Sequence, residues 1–126
     1  MSRRCWWCWN SEYNLYRIDQ ELSNEHPPLV FSSVLGDVRD AHTVDNLFSR
    51  ITPQVVFHAA AYKHVPMVED NVIEGIRNNV FGTRNVADTA LRHGVENFVL
   101  ISTDKTVNPT NIDRKSTRLN SSHGII

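Results

Sequence analysis

An α/β fold arranged as a doubly wound parallel sheet is what the sequence predicts, and two observations predict it. Short β-rich apolar runs alternate with longer segments whose apolar residues recur at helical spacing. The connections between them are brief and punctuated by Pro, Gly or capping residues. A parallel sheet covered by helices is the arrangement that buries both kinds of apolar face at once.

The elements follow in order. Ser11 caps a helix, with Asn14 three residues on completing only part of a capping box. Leu15, Ile18 and Leu22 supply its apolar stripe, and Pro27-Pro28 ends the region. Residues 29–35 form a short β-rich run closed by Gly36-Asp37. Asp40 caps a second helix with Val44, Leu47, Phe48 and Ile51 on one face, and Pro53 breaks it. Residues 54–61 begin as a Val-Val-Phe strand and run into small residues. A single long helix is expected over 69–93, with Ile73, Ile76, Val80, Val86 and Leu91 buried and Gly94 at its C′ position. Residues 96–102 are a further buried strand. The right-handed crossover rule narrows this alternation to a Rossmann-type sheet, whose ligands bind beyond the carboxyl ends of the strands.

The chain has 126 residues, 13 Lys+Arg, 14 Asp+Glu and 40% hydrophobic residues, enough for one domain. No apolar run approaches the roughly 18 residues of a transmembrane helix. Near-zero net charge gives no electrostatic case for nucleic acid or membrane binding. The charge is uneven, however: residues 11–112 hold 8 Lys+Arg against 13 Asp+Glu, a balance of −5. All three Trp and both Cys lie in residues 1–9, and the basic Arg114, Lys115 and Arg118 lie in the last 14 residues.

The two ends are expected to be foreign to the rest. Cys5-Trp6-Trp7-Cys8 could be a redox pair or half a zinc site, but no second Cys pair exists. Reading the codons of residues 5–10 two bases out of step gives Leu-Val-Val-Leu-Glu, a buried strand ending in an acid. Residues 1–9 therefore read as a frameshifted segment. The run Asp113-Arg114-Lys115-Ser116-Thr117-Arg118-Leu119-Asn120-Ser121-Ser122-His123 is one reading frame of a widely used sequencing-library adapter. Residues 113–126 therefore read as an adapter-like, non-native tail, which leaves 10–112 as a partial dinucleotide-binding domain.

Three strand ends carry candidate chemistry. At Ala59-Ala60-Ala61 small side chains let backbone approach a flat ligand, or simply pack strand against helix. Asp37 can accept from an adenine amino group, or serve as a turn residue. His58, in an apolar strand, reads as a satisfied core histidine rather than a catalyst. Asn79 sits in mid-helix, where Asn is mildly unfavourable, and can reach a strand end or face water. Thr103-Asp104-Lys105 is the sharpest cluster: a hydroxyl to hold an alcohol, and a carboxyl and an amine able to act as an acid/base pair. The plainer reading of the last two is an exposed loop salt bridge. The histidines show no metal-ligand spacing, so no metal is expected.

Four blocks carry a resemblance. They are residues 11–18 (SEYNLYRI), 58–69 (HAAAYKHVPMVE), 78–83 (NNVFGT) and 101–111 (ISTDKTVNPTN). Together they resemble the bacterial polysaccharide-biosynthesis proteins of the CapD type. These are nucleotide-sugar 4,6-dehydratases of the extended short-chain dehydrogenase/reductase superfamily, typically acting on UDP-N-acetylglucosamine. The resemblance covers essentially all of 11–112, and its Tyr-Lys-His-Val-Pro and Ser-Thr-Asp-Lys blocks are far more specific than a glycine fingerprint.

The resemblance implies an NAD- or NADP-dependent lyase. The sugar is oxidised at position 4, the ketone acidifies the proton at position 5, water leaves across the 5,6 bond, and the hydride returns to position 6. By motif, Thr103 would contact the 4-hydroxyl, and Asp104 and Lys105 would be the elimination acid and base. Lys63 would contact substrate or cofactor near the site, and is taken as substrate-binding. Asp37 and Val38 would flank adenine, Ala59, Ala60 and Ala61 would line the cofactor, and Asn79 and Ser102 would help organise its site. The implied partners are a UDP-sugar and, for full-length members, a second copy of the chain. The domain is expected in the cytoplasm, with full-length relatives anchored in the inner membrane in many cases. Another nucleotide-sugar enzyme of the superfamily (an epimerase or 4-keto reductase) and an open reading frame with no role are the alternatives.

Against the family pattern, the first strand and its glycine-rich phosphate turn are not found, so the expected fold is an incomplete doubly wound sheet. The positions of the family's Tyr- or Met-x-x-x-Lys pair fall on Asp113 and Thr117, neither of which can do that job. The chain as it stands is therefore expected to be inactive, and to fold with weak cooperativity because the sheet lacks a central strand.

Overall fold

The computed structural model describes residues 4–27, 30–62 and 64–101. They fall into two compact units, Met1–Asp37 and Val38–Ile126.

In the first unit, β1 (Arg4–Trp9) and β2 (Val30–Leu35) pair in parallel, Cys5 opposite Phe31 and Cys8 opposite Val34. The crossover between them is α1 (Glu12–Glu25), whose N-cap Ser11 accepts from the Asn14 amide at 3.4 Å. Leu15 is buried, and Ile18 and Leu22 are half-buried, as the helical spacing predicts. Asp19 on α1 accepts a hydrogen bond from Ser33 Oγ on β2 at 2.6 Å, which ties the crossover to its strand. Cys5 and Cys8 are free and stand three positions apart on one strand, so they point to opposite faces. That geometry rules out a chelating or redox CxxC. Partial burial and the nearby Asp37 carboxylate push the Cys8 thiol up from its ordinary value.

In the second unit, α2 (Ala41–Ile51) begins at Asp40, whose Oδ1 accepts from the His42 and Thr43 amides at 3.0 and 3.2 Å. A hydrogen bond from Thr43 Oγ1 at 2.7 Å, with those from the amides, holds the Asp40 carboxyl below its ordinary range. Val44, Leu47 and Phe48 are buried, and Ile51 is half-buried. The strands β3 (Val55–His58) and β4 (Asn97–Leu100) pair in parallel, Val56 opposite Phe98 and His58 opposite Leu100. The core forms on one face of this pair, where Val56, Phe98 and Leu100 meet Val44, Phe48, Val86, Ala87 and Ala90. The other face, carrying Val55, Phe57 and Val99, is exposed among the described residues. A parallel sheet clothed by helices on both faces was the expectation; within this unit the described helices clothe one.

Each unit thus holds one two-stranded parallel sheet, β1-β2 in the first and β3-β4 in the second. The described residues do not include a strand ahead of β1.

The long helix expected over 69–93 is broken into pieces. They are α3 (Val65–Asp70), α4 (Val72–Ile76), a π-helical turn (Arg77–Gly82) and α5 (Thr83–Arg92). The predicted apolar stripe is wrong at three positions. Ile73, Ile76 and Leu91 are exposed, Ile73 by 67%. The helix breaks at Asn71, ahead of Ile73 and Ile76, and the wider π turn resets the phase again ahead of Leu91. The buried face is instead Gly75, Asn78, Asn79, Gly82, Thr83, Val86, Ala87, Thr89 and Ala90. α5 ends as predicted at Gly94, which takes φ +68°. The Gly94 amide donates to Leu91 and the Val95 amide to Ala90, the paired bonds of a Schellman cap.

Candidate functional site

The carboxyl end of β3 is organised by His58. Its ring is 5% exposed, stacks on Phe98, and lies 2.7 Å from Thr83 Oγ1. Burial lowers its pKa to about 4, so the ring is neutral at physiological pH. One ring nitrogen and one hydroxyl thus satisfy each other in the core, the structural role that an apolar strand context predicts for this histidine.

Beyond His58 the chain turns through Ala59, Ala60, Ala61 and Tyr62, and two adjacent asparagines hold that turn. Asn79 grips the Tyr62 peptide from both sides: its Oδ1 accepts from the Tyr62 amide at 2.7 Å and its Nδ2 donates to the Tyr62 carbonyl at 3.2 Å. Asn78 Nδ2 donates to the Ala60 carbonyl at 2.6 Å and to Asn79 Oδ1 at 3.1 Å. Both asparagines are buried, Asn79 completely. Successive residues on an α-helix diverge by about 100°. The wider π turn brings neighbours closer in angle, so both side chains serve one loop. Ala59 and Ala60 remain exposed, and Ala61 is half-buried.

The same helical segment holds the turn that follows β2. Asn85 Nδ2 donates to the Val38 carbonyl at 2.7 Å. Gly82 faces the Val38 side chain so closely that a Cβ there would stand 3.0 Å from Val38 Cγ2. Arg39 Nη1 reaches Glu74 Oε2 at 2.7 Å, and the other oxygen of Glu74 pairs with Arg77 at 2.9 Å. Residues 74–85 therefore fix two turns of the second unit, Val38–Arg39 and Ala60–Tyr62.

Of the residues expected at the site, Val38, Ala59, Ala60, Ala61 and Asn79 belong to this arrangement, and Asp37 is half-buried at the end of the first unit. Asn79 differs in kind from a surface contact, because its amide is spent on the Tyr62 backbone and its side chain is fully buried. Lys63, Ser102, Thr103, Asp104 and Lys105 lie outside the described residues, as does the tail 113–126. Sequence reasoning placed Asn78, Gly82 and Thr83 in a resembling block without giving them a role, and passed over Asn85. The available signal was two polar residues in succession where a helix should bury apolar ones. Among the described residues no cluster of His, Cys, Asp or Glu could hold a metal, and no helix is long and apolar enough to cross a membrane.

Comparison with known proteins places this arrangement. The capsular polysaccharide biosynthesis protein CapD of Staphylococcus aureus is 44% identical over 104 residues, which are 82% of this chain and 17% of that protein. A UDP-N-acetylglucosamine 4,6-dehydratase (inverting) of Campylobacter jejuni is 41% identical over 78 residues, 62% of this chain and 23% of that one. The crystal structure of the Bordetella bronchiseptica enzyme WbmG in complex with NAD and UDP superposes with a TM-score of 0.66 at 26% identity, covering 73% of this chain and 33% of that one. The chain thus spans about a fifth of the length of these two curated relatives. The family model described as polysaccharide biosynthesis protein matches residues 5–123. With nearly its whole length inside that match, the chain belongs to the polysaccharide biosynthesis protein family.

Proposed function

We propose that this chain carries the cofactor-side part of a nucleotide-sugar 4,6-dehydratase that works on UDP-N-acetylglucosamine or a close UDP-sugar in bacterial surface-polysaccharide synthesis. The observation that carries the reading is the rail of residues 74–85, which fixes the turns after β2 and β3 through Asn85, Asn78 and Asn79. Similarity to a UDP-N-acetylglucosamine 4,6-dehydratase and to CapD supports the choice of reaction and substrate.

The residues present suit a nicotinamide dinucleotide. Ala59 and Ala60 are exposed and carry no side-chain atom beyond Cβ, so a flat ring can approach their backbone closely. Val38, half-buried at the core edge, offers an apolar surface for adenine, with Asp37 beside it in sequence as an acceptor for the amino group. A nicotinamide ring held there would supply reversible hydride chemistry toward the sugar. The polypeptide supplies the rest. Thr103 holds the 4-hydroxyl. Asp104 and Lys105 protonate the departing 6-hydroxyl and remove the 5-proton between them, which gives elimination its own acid and base. Lys63 and Ser102 complete the substrate and cofactor contacts. Asn79 acts through Tyr62, by fixing the turn from which Lys63 follows. The domain works on the cytoplasmic side, and the full-length protein assembles with copies of itself.

The test uses the full-length polypeptide bearing this segment, supplied with UDP-N-acetylglucosamine in deuterium oxide. The reading requires a 4-keto-6-deoxy product carrying solvent deuterium at position 5. A 4-epimer that retains its original hydrogen at position 5 would replace the dehydratase by an epimerase.

A further inference from the structure

The turn Val38–Arg39 is held far more firmly than an exposed loop needs to be. Three groups on one helical segment act on two consecutive residues. Asn85 donates to the Val38 carbonyl at 2.7 Å, a partly buried bond joining residues 47 positions apart. Gly82 leaves room for the Val38 side chain, which a Cβ would meet at 3.0 Å, and the same Cβ would lie 3.7 Å from Arg39 Cγ. Glu74 takes the Arg39 guanidinium at 2.7 Å. The exposed ion pair contributes little to stability. The Asn85 bond is different, because it satisfies a backbone carbonyl at the core edge and sets the direction of the peptide after Val38.

We propose that Asn85 is a positioning residue for the adenine end of the nucleotide. It acts through the Val38 carbonyl, with Gly82 providing the space that lets Val38 sit against the helix. This rests on the reading above, in which Val38 flanks adenine. Asn85 touches no ligand itself. Its amide sets the height and tilt of the Val38 peptide, and hence of the apolar surface offered to the base. Because Asn78 and Asn79 on the same segment hold the turn after β3, a shift of the Val38 turn changes the spacing between the adenine and nicotinamide ends of the cradle.

The test is a titration of the full 126-residue chain and its variants with AMP and with NADH, followed by fluorescence and NMR. Asn85→Asp keeps the size but presents an acceptor to the Val38 carbonyl. Asn85→Ala removes the group, and Asn85→Gln restores a donor. Both donorless variants should bind AMP and NADH roughly five- to tenfold more weakly. Their Val38 carbonyl carbon resonance should shift while helical circular dichroism stays unchanged, and Asn85→Gln should recover part of the affinity. Rescue by a donor separates positioning from general loss of structure. Affinities that stay equal across the variants, or an unmoved Val38 carbonyl in Asn85→Asp, would overturn the role of Asn85 and leave the adenine site standing. Failure of the unaltered chain to bind AMP or NADH would overturn the site itself, and this inference with it.

Discussion

Acidification from pH 7 to pH 5 should remove about 2 kcal/mol of folding stability through His58 alone. The ring is buried, pairs with Thr83 Oγ1 at 2.7 Å and packs on Phe98, and its pKa lies at about 4 against an ordinary value of 6.5. A histidine depressed in the folded state is neutral there, while the unfolded chain protonates it first. Stability is therefore full above the unfolded pKa and falls as pH drops below 6.5, by about 1.4 kcal/mol per pH unit, levelling off near pH 4. Urea denaturation at pH 7 and pH 5, with and without His58→Gln, isolates this contribution, because the variant has nothing to titrate at that position. A parallel histidine NMR titration should leave the His58 Hε1 resonance unmoved between pH 7.5 and 5. If His58 titrates near 6.5, or if His58→Gln loses as much stability on acidification as the unaltered chain, burial is not what sets its charge state.

Other outcomes follow from the same geometry. Asn79→Leu strips the Tyr62 peptide of both partners and should destabilise the second unit by about 2–3 kcal/mol, with faster amide exchange at Tyr62 as the direct readout. Gly94→Ala forces a Cβ into φ +68° and should lower stability by about 1 kcal/mol; a more stable variant in thermal denaturation would contradict the Schellman cap. In the full-length enzyme, Asp104→Asn should slow product formation at least a hundredfold, of the order that acid–base catalysis supplies. On the proposed reaction, in which oxidation at position 4 precedes elimination, a substrate-dependent rise in NADH absorbance should persist. A variant that lost both equally would place Asp104 in the hydride step.

Much of this protein was legible from its residues because local chemistry dictates it. Ser11 and Asp40 cap helices since each offers an oxygen to exposed amides, and Gly94 ends one since glycine takes the left-handed conformation without a Cβ penalty. Val44, Leu47 and Phe48 face the core because their spacing matches the helical period. The alternation of such elements fixed the fold class, and the histidine in an apolar strand was readable as a core group. What the linear pattern could not reveal was the phase of the segment after Asn71. Ile73, Ile76 and Leu91 have the right spacing for a continuous helix and the wrong faces in the actual one, because the helix breaks at Asn71 ahead of the first two and a π turn intervenes at Arg77–Gly82 ahead of the third. Only the folded molecule makes that turn worthwhile. It serves partly buried carbonyls and amides, at Ala60, Tyr62 and Val38, which Asn78, Asn79 and Asn85 reach across 17 to 47 positions of chain.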